Sequence, residues 1–148
     1  MYYFAYGSNM NWPQMQRRCP SATFVSVARL PDYRFAITRR SRLRGCGTAN
    51  ILRQPGAEVW GVVYDVAAPD LVVLDGFEDG YRRETVRVYC RDDGRRPLEA
   101  LVYVAADEPD VPPPSAEYIG LIVEGAAHWK IPHPYLEMLR GLAGACAD

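Results

Sequence analysis

Short apolar runs and alternating stretches fill the chain up to about residue 105, and helical spacing takes over from about residue 115. Residues 2–5 (YYFA) predict a short aromatic strand. Residues 22–27 and 33–38 predict two strands flanking Leu30-Pro31-Asp32, which reads as a turn. Residues 48–52 follow a glycine pair and predict another strand. Residues 58–66 (EVWGVVYDV) form a β-branched and aromatic run long enough for a central strand. Residues 84–90 alternate Thr85, Arg87 and Tyr89 against Val86, Val88 and Cys90, and residues 98–105 (LEALVYVA) add one more apolar run.

Helix signals stand between and after these strands. Asn11 predicts a cap for a short helix to Arg18, with Pro13 tolerated in its first turn. Pro69 opens a second, through Leu71, Val72 and Leu74. Ser115 caps a third, with Tyr118, Ile119, Ile122 and Val123 on one face. Pro134 opens a fourth, through Leu136, Leu139 and Leu142. Residues 107–115 (DEPDVPPPS) form a stiff connector, because three consecutive prolines continue neither strand nor helix. Many strands with few crossover helices predict an α+β fold: a small curled or closed sheet with helices beside it.

The size, 148 residues and 16.6 kDa, predicts one domain over residues 1–148. A chain this long buries about 68–70% of its unfolded surface and needs no staple. Seventeen basic against eighteen acidic side chains give a net charge of −1, which argues against a strongly basic nucleic-acid binder. The sixteen arginines against one lysine (Lys130) reflect genome composition rather than chemistry. Cys19, Cys46, Cys90 and Cys146 contain no C-x-x-C pair, and His128 and His133 form no H-E-x-x-H, so a zinc site is not expected. The first residues lack the pattern of a signal peptide, and no apolar run approaches 18 residues. The expectation is a soluble, cytoplasmic protein with reduced thiols and no membrane association.

Three stretches carry candidate chemistry, each with a plainer alternative. Tyr6-Gly7-Ser8-Asn9-Met10 lies between a strand and a helix start. It is either a turn with an Asn cap or a nest of N–H groups for a carboxylate or oxyanion. Residues 74–81 (LDGFEDGY) hold Asp75, Glu78 and Asp79 between glycines and aromatics. They form either a solvated acidic turn or the setting of a partly buried general base. Residues 39–47 (RRSRLRGCG) are a basic run, either a solvated loop or a funnel for an anionic ligand. An RNA-binding patch there is disfavoured by the net charge and the lack of interleaved aromatics. Cys46 has no identifiable His or Asp partner for a nucleophile. Tyr64, Tyr81, Tyr103 and Tyr118 are core or rim residues by default, with one or two available to a polar ligand. His128 and His133 read as structural.

In order along the chain, FAYGSNM, SVARLPDYRFAI, GTANI, PGAEVWGVVYDV, LDGFEDGYRRETVRV and PPPSAEYIGLIVEGA resemble the γ-glutamyl cyclotransferase family. The resemblance runs colinearly over about residues 1–142, with the animal-type enzymes nearest and plant stress-induced and antibiotic-biosynthesis relatives on the same framework. It implies a small mixed β-barrel with short helices packed alongside. It also implies a reaction: the α-amine of a γ-glutamyl group attacks its own γ-carbonyl, releasing 5-oxoproline and an amino acid or amine. Glu78 matches the family's general acid/base. Tyr6, Gly7, Ser8, Asn9 and Met10 match its substrate-binding loop, and Tyr103 matches a site-lining tyrosine. Residues 45–47 become a further candidate for the pocket wall, while Asp75 and Asp79 stay local structural carboxylates.

The partner implied is a small γ-glutamyl substrate, with no cofactor, no metal and no nucleic acid, in a monomer or homodimer. Many relatives place Gly directly after the glutamate, where this chain has Asp79 and then Gly80, and the link to the next strand is short. That departure touches substrate choice more than chemistry. The alternatives are the same chemistry on a γ-glutamyl amine or biosynthetic intermediate, or a silent protein that binds γ-glutamyl ligands.

Overall fold

The computed structural model describes residues 1–91 and 96–143. Its strands are β1 (Tyr2–Ala5), β2 (Thr23–Arg40), β3 (Gly47–Asp65), β4 (Tyr81–Cys90) and β5 (Pro97–Ala105). They close into a barrel in the order β1-β3-β2-β4-β5. All neighbours are antiparallel except β1 and β5, which meet in parallel at Tyr3 and Leu101. Closure leaves the short aromatic β1 with a partner on each side, so Tyr3, Phe4 and Ala5 are buried. Val27, Ile51, Val59, Val62, Val63, Val88 and Val102 complete the apolar interior.

The turn expected at Leu30-Pro31-Asp32 is not a turn. β2 runs through it, and the expected strands 48–52 and 58–66 likewise fuse into β3. Pro31 pairs with Glu58 and Tyr33 with Arg53, so the ladder shifts register between them. Asp32 takes φ 65° and its carboxylate accepts the Gly56 N–H at 3.0 Å. Locally a Pro-Asp pair resembles a chain reversal. Here the partner strand absorbs the offset with residues 54–57, and the pair becomes a bulge in one long bent ribbon.

The helices are α1 (Trp12–Arg18), α2 (Ala68–Phe77), α3 (Ala116–His128) and α4 (His133–Ala143), the last starting one residue before the expected Pro134. Asn11 caps α1 by accepting the Gln14 N–H at 3.2 Å, and Ser115 caps α3 by accepting the Tyr118 N–H at 3.1 Å. α3 buries Tyr118, Ile119, Ile122, Gly125 and Ala126. α4 covers it with Leu136 and Leu139. The proline connector crosses the β2–β3 ribbon, where the Gly47 N–H reaches the Pro113 carbonyl at 3.3 Å. Cys19, Cys46 and Cys90 are buried, and Cys146 lies outside the described residues. Among the described residues no helix is long and apolar enough to cross a membrane.

Candidate functional site

At one end of the barrel the chain leaves β1 at Tyr6 and makes a single 3-10 turn over Ser8–Met10 before α1 begins. Three groups from distant parts of the chain fasten this turn by its carbonyls and its cap. Tyr64 OH donates to the Asn9 carbonyl at 2.8 Å, and Trp129 Nε1 donates to the Met10 carbonyl at 2.9 Å. Asn11 Nδ2 donates to Glu124 Oε2 at 3.2 Å. α3 approaches so closely that a Cβ on Gly125 would lie 2.3 Å from the Met10 carbonyl carbon. With its carbonyl side tied to the core, the loop turns Gly7, Ser8 and Asn9 toward a cavity.

That cavity is lined by Tyr3, Tyr6, Gly7, Ser8, Asn9, Ala49, Glu78, Tyr81, Tyr103 and Tyr118. Its volume is about 40 Å³. Six of the seven residues expected at the site therefore meet there. Met10 is the exception: it is fully buried in the core and supports the loop from behind instead of touching the cavity. Residues 45–47 also stand away from the cavity. Gly47 packs on the proline connector, and Cys46 Sγ lies 3.7 Å from Ser115 Oγ.

Glu78 reaches the cavity from the C-terminal end of α2. Its N–H closes the last helical turn on the Leu74 and Asp75 carbonyls, and its own carbonyl accepts the Tyr81 N–H at 3.0 Å. The chain then turns sharply through Gly80 at φ 85°, where a Cβ would collide with the Arg39 guanidinium. Arg39 Nη2 in turn donates to the Asp79 carbonyl at 2.9 Å, and Arg39 pairs with Glu108 at 3.0 Å. Asp79-Gly80 thus makes a short link that sends Glu78 inward and leaves Asp79 exposed. The segment is not simply a solvated acidic turn, because one of its three carboxylates is withdrawn from water.

The Glu78 carboxyl rests against a single oriented amide. Asn9 Nδ2 donates to Glu78 Oε1 at 3.2 Å and to Tyr3 OH at 3.0 Å. Burial pushes the Glu78 carboxyl up to about 7, against the opposing pull of the Arg18 and Arg44 guanidinium groups and the Asn9 hydrogen bond, with Asp75 adding a smaller upward push. A carboxyl near neutrality both takes and returns a proton at little cost, which is the property of a general acid/base.

The tyrosines are held as firmly. Tyr6 OH donates to the Tyr103 carbonyl at 2.6 Å, Tyr81 OH to the Ala49 carbonyl at 2.6 Å, and Tyr118 OH accepts the Ala49 N–H at 2.9 Å. Tyr103 OH donates to Asp75 Oδ1 at 2.6 Å, and Arg83 grips the same carboxylate through Nε at 2.9 Å and Nη2 at 2.8 Å. Burial raises Asp75, but the Arg83 and Tyr103 hydrogen bonds outweigh it and leave the carboxyl below its ordinary range. Asp75 is thus held as an ionised, structural carboxylate, while Glu78, three residues on, titrates near neutrality.

Tyr3, Ala49, Tyr81 and Tyr118 join the site without having been singled out as its residues in the sequence. For the three tyrosines the one signal is a hydroxyl where packing alone would accept Phe or Leu, since a buried hydroxyl demands a partner, and Ala49 carries no signal at all. The basic run divides as well. Arg39 is withdrawn into the Glu108 pair, Arg42 is exposed, and Arg44 stands at the cavity mouth with Arg18. Among the described residues no group of three or more His, Cys, Asp or Glu side chains is placed to hold a metal.

With this geometry in hand, the comparisons with known proteins are specific. The family model described as "Gamma-glutamyl cyclotransferase, AIG2-like" matches residues 3–120. The chain is 34% identical to the γ-glutamylcyclotransferase of Mus musculus, over 95% of this chain and 77% of that protein. It is 33% identical to the γ-glutamylcyclotransferase of Homo sapiens over the same shares. A solved γ-glutamyl cyclotransferase structure superposes with a TM-score of 0.86 at 33% identity, covering 95% of this chain and 86% of that one.

Proposed function

The chain belongs to the γ-glutamyl cyclotransferase, AIG2-like family, and from that premise we propose that it cyclises the γ-glutamyl group of a small substrate to 5-oxoproline, with Glu78 as general acid/base. The observation that carries this reading is Glu78 itself: a carboxyl raised to about 7, inside a cavity walled by Gly7, Ser8 and Asn9.

The reaction brings its own nucleophile, the α-amine of the substrate, so no Ser, Cys, metal or cofactor has to supply one. A well-oriented intramolecular attack accounts for about 7–11 kcal/mol of barrier reduction, and the protein's share is orientation, proton transfer and charge stabilisation. In its ionised form Glu78 takes a proton from the α-ammonium. The freed amine attacks the γ-carbonyl carbon and closes the five-membered ring. The carbonyl oxygen becomes an oxyanion in the cavity that Gly7, Ser8 and Asn9 line, and the ring nitrogen carries a positive charge. Glu78 then delivers its proton to the departing nitrogen, and the C–N bond to that nitrogen breaks. A second proton follows from the ring nitrogen to the leaving amine, so Glu78 ends in the state in which it began.

The Tyr6, Tyr81 and Tyr103 hydroxyls already donate to oxygens of the protein, and those of Tyr3 and Tyr118 accept from Asn9 and the Ala49 N–H, so these side chains shape the chamber. Burial raises the Tyr3, Tyr6, Tyr81, Tyr103 and Tyr118 hydroxyls further from ionisation. The reading also places the protein in the cytoplasm as a monomer or homodimer acting on a small molecule without nucleic acid.

The test is release of 5-oxoproline from a panel of γ-glutamyl amino acids, γ-glutamyl amines and glutathione, with Glu78→Gln alongside. The expected result is product from the native chain and a loss of at least about 10²-fold in the variant. Equal rates in the two proteins would remove Glu78 from the mechanism. No product from any substrate would overturn the reading.

A further inference from the structure

β2 and β4 are neighbours in the barrel, yet among the described residues their backbones pair only at Ala28–Cys90 and Arg29–Tyr89. At the end of the barrel that holds Glu78, a side chain joins them instead. Arg39, near the end of β2, reaches across to the link between α2 and β4. Its Nη2 donates to the Asp79 carbonyl at 2.9 Å, and its Nη1 donates to Glu108 Oε1 at 3.0 Å. Nη1 also donates to the Arg40 carbonyl. Three stretches of chain thus meet on one guanidinium: the end of β2, the proline connector and the link that carries Glu78.

This is not an ordinary surface pair, which contributes little. The Arg39 side chain is 12% exposed, and Glu108 is itself fastened to β2. The Glu108 N–H donates to the Thr38 carbonyl at 3.1 Å, and Glu108 Oε2 accepts the Arg40 N–H at 3.1 Å. Arg39 Nε is buried without a partner, so the guanidinium holds this pose although one of its five donors goes unused. Glu78 to Tyr81 form a four-residue turn, closed by the Tyr81 N–H on the Glu78 carbonyl at 3.0 Å, with Gly80 at φ 85° in the third place. In such a turn the peptide between the second and third residues is the one that flips between the common forms. Its carbonyl is that of Asp79, so Arg39 fixes the form of the turn from which Glu78 projects.

We propose that Arg39 is a positioning residue for Glu78: held by Glu108, it locks the Asp79–Gly80 peptide in the orientation that aims the Glu78 carboxyl into the cavity. This rests on the reading of Glu78 as general acid/base. Arg39 is not among the residues that line the cavity, so it acts on the reaction through Glu78 and not on the substrate. A misplacement of about 1 Å at a reacting group costs about 10²-fold in rate, which makes the form of this turn a determinant of turnover.

The test follows release of 5-oxoproline from the best substrate of the panel above by the native chain, Arg39→Gln, Arg39→Lys and the double variant Arg39→Gln/Glu108→Gln. Arg39→Gln is expected to lower kcat by about 10–100-fold with KM little changed. Arg39→Lys keeps the charge beside Glu108 and should recover part of the rate, since a lysine lacks the planar fork that serves two acceptors at once. The double variant removes one charge of each sign and leaves Arg18, Arg44 and Asp75, the charged groups that act on Glu78, in place. Its acid limb therefore reports position and not charge. A Glu78 released toward water titrates lower, so the limb of kcat/KM should move to lower pH. Asp79→Asn leaves the held carbonyl where it is and should match the native chain. Tm is recorded for every variant, because an ion pair of structural value alone would lower Tm and leave kcat and the limb of the folded chain unchanged. That outcome, or a native kcat in Arg39→Gln, would overturn the inference and leave the reading of Glu78 standing. Where Arg39→Gln does not fold, kcat and the limb of Arg39→Lys decide in the same way. No 5-oxoproline from the native chain with any substrate of the panel, or a native rate in Glu78→Gln, would remove that reading and this inference with it.

Discussion

Asn9 Nδ2 stands 3.2 Å from Glu78 Oε1, and the oxygen of the same amide is held by Gln14 Nε2 at 3.0 Å and Arg18 Nη1 at 3.1 Å. Two donors on the oxygen settle which end of the amide faces Glu78. The loop thus contributes a fixed hydrogen-bond donor to the carboxyl that stands at the centre of the proposed chemistry. Asn9 is 3% exposed, so no solvent rearrangement replaces that donor if it is lost.

Asn9→Ala is expected to lower kcat by about 10–100-fold, the range for a hydrogen bond to a charged group. The Asn9 donor favours the ionised carboxyl, so its removal should also move the acid limb of the pH profile upward. Steady-state kinetics between pH 5 and 9 check both effects. An unchanged kcat and an unmoved limb would show that the amide plays no part in turnover.

Activity should rise with pH through the Glu78 titration. The carboxyl must be ionised to take the first proton, and burial holds it at about 7 in the free protein. The acid limb of kcat/KM is therefore expected near that value rather than near an ordinary carboxylate's. The Arg18 charge pulls Glu78 downward, so Arg18→Gln should shift the limb to higher pH. A limb near 4.5 in the native chain would contradict this.

Stability should carry the opposite sign. Glu78 is raised above an ordinary glutamate's 4.5 on folding, so between that value and about 7 the folded chain binds more protons than the unfolded one. The Glu78 contribution to stability is greatest at the acid end and declines as pH rises through about 7. Glu78→Gln removes the titrating group, so its Tm relative to the native chain should improve steadily between pH 5 and 8. Thermal melts at several pH values measure the difference. A Tm difference independent of pH would rule out a raised Glu78.

Gly125→Ala should damage both fold and site. A Cβ there would lie 2.3 Å from the Met10 carbonyl carbon and 2.4 Å from the Asn11 nitrogen, both backbone atoms that cannot swing aside. Overpacking of this kind costs about 1–3 kcal/mol, and here α3 or the Ser8–Met10 turn must shift to relieve it. Denaturant unfolding should show the loss. A turnover defect should remain at temperatures where the variant is folded. Gly120→Ala, on the same helix with open space at the Cβ position, serves as the control.

Much of this architecture was legible in the residues. Asn11 and Ser115 announced their helices because a capping side chain acts on backbone only three residues away. The β1, β4 and β5 runs alternate or cluster in ways that local geometry alone explains. Leu30-Pro31-Asp32 misled because a bulge and a turn share the same local chemistry, and only the partner strand distinguishes them. Met10 misled in another way. It stands inside the YGSNM stretch, yet the direction of its side chain depends on a core that the stretch does not contain.

The sequence by itself determined the helices, the short strands β1, β4 and β5, the order of the motifs and the family, and with them Glu78 and the Tyr6–Asn9 loop as the residues to watch. These follow from nearest neighbours in the chain and from a colinear pattern. Only the tertiary structure decided that Glu78 is raised, because its desolvation and the charges of Arg18 and Arg44 come from segments far from it along the chain, Asn9 being 69 residues away. It also decided that one arginine of the basic run is neutralised by Glu108 while another opens on the cavity. Burial and electrostatics sum over distance in space, and barrel closure, which brings Tyr3, Ala49, Tyr81 and Tyr103 around one carboxyl, is the step that sets those distances.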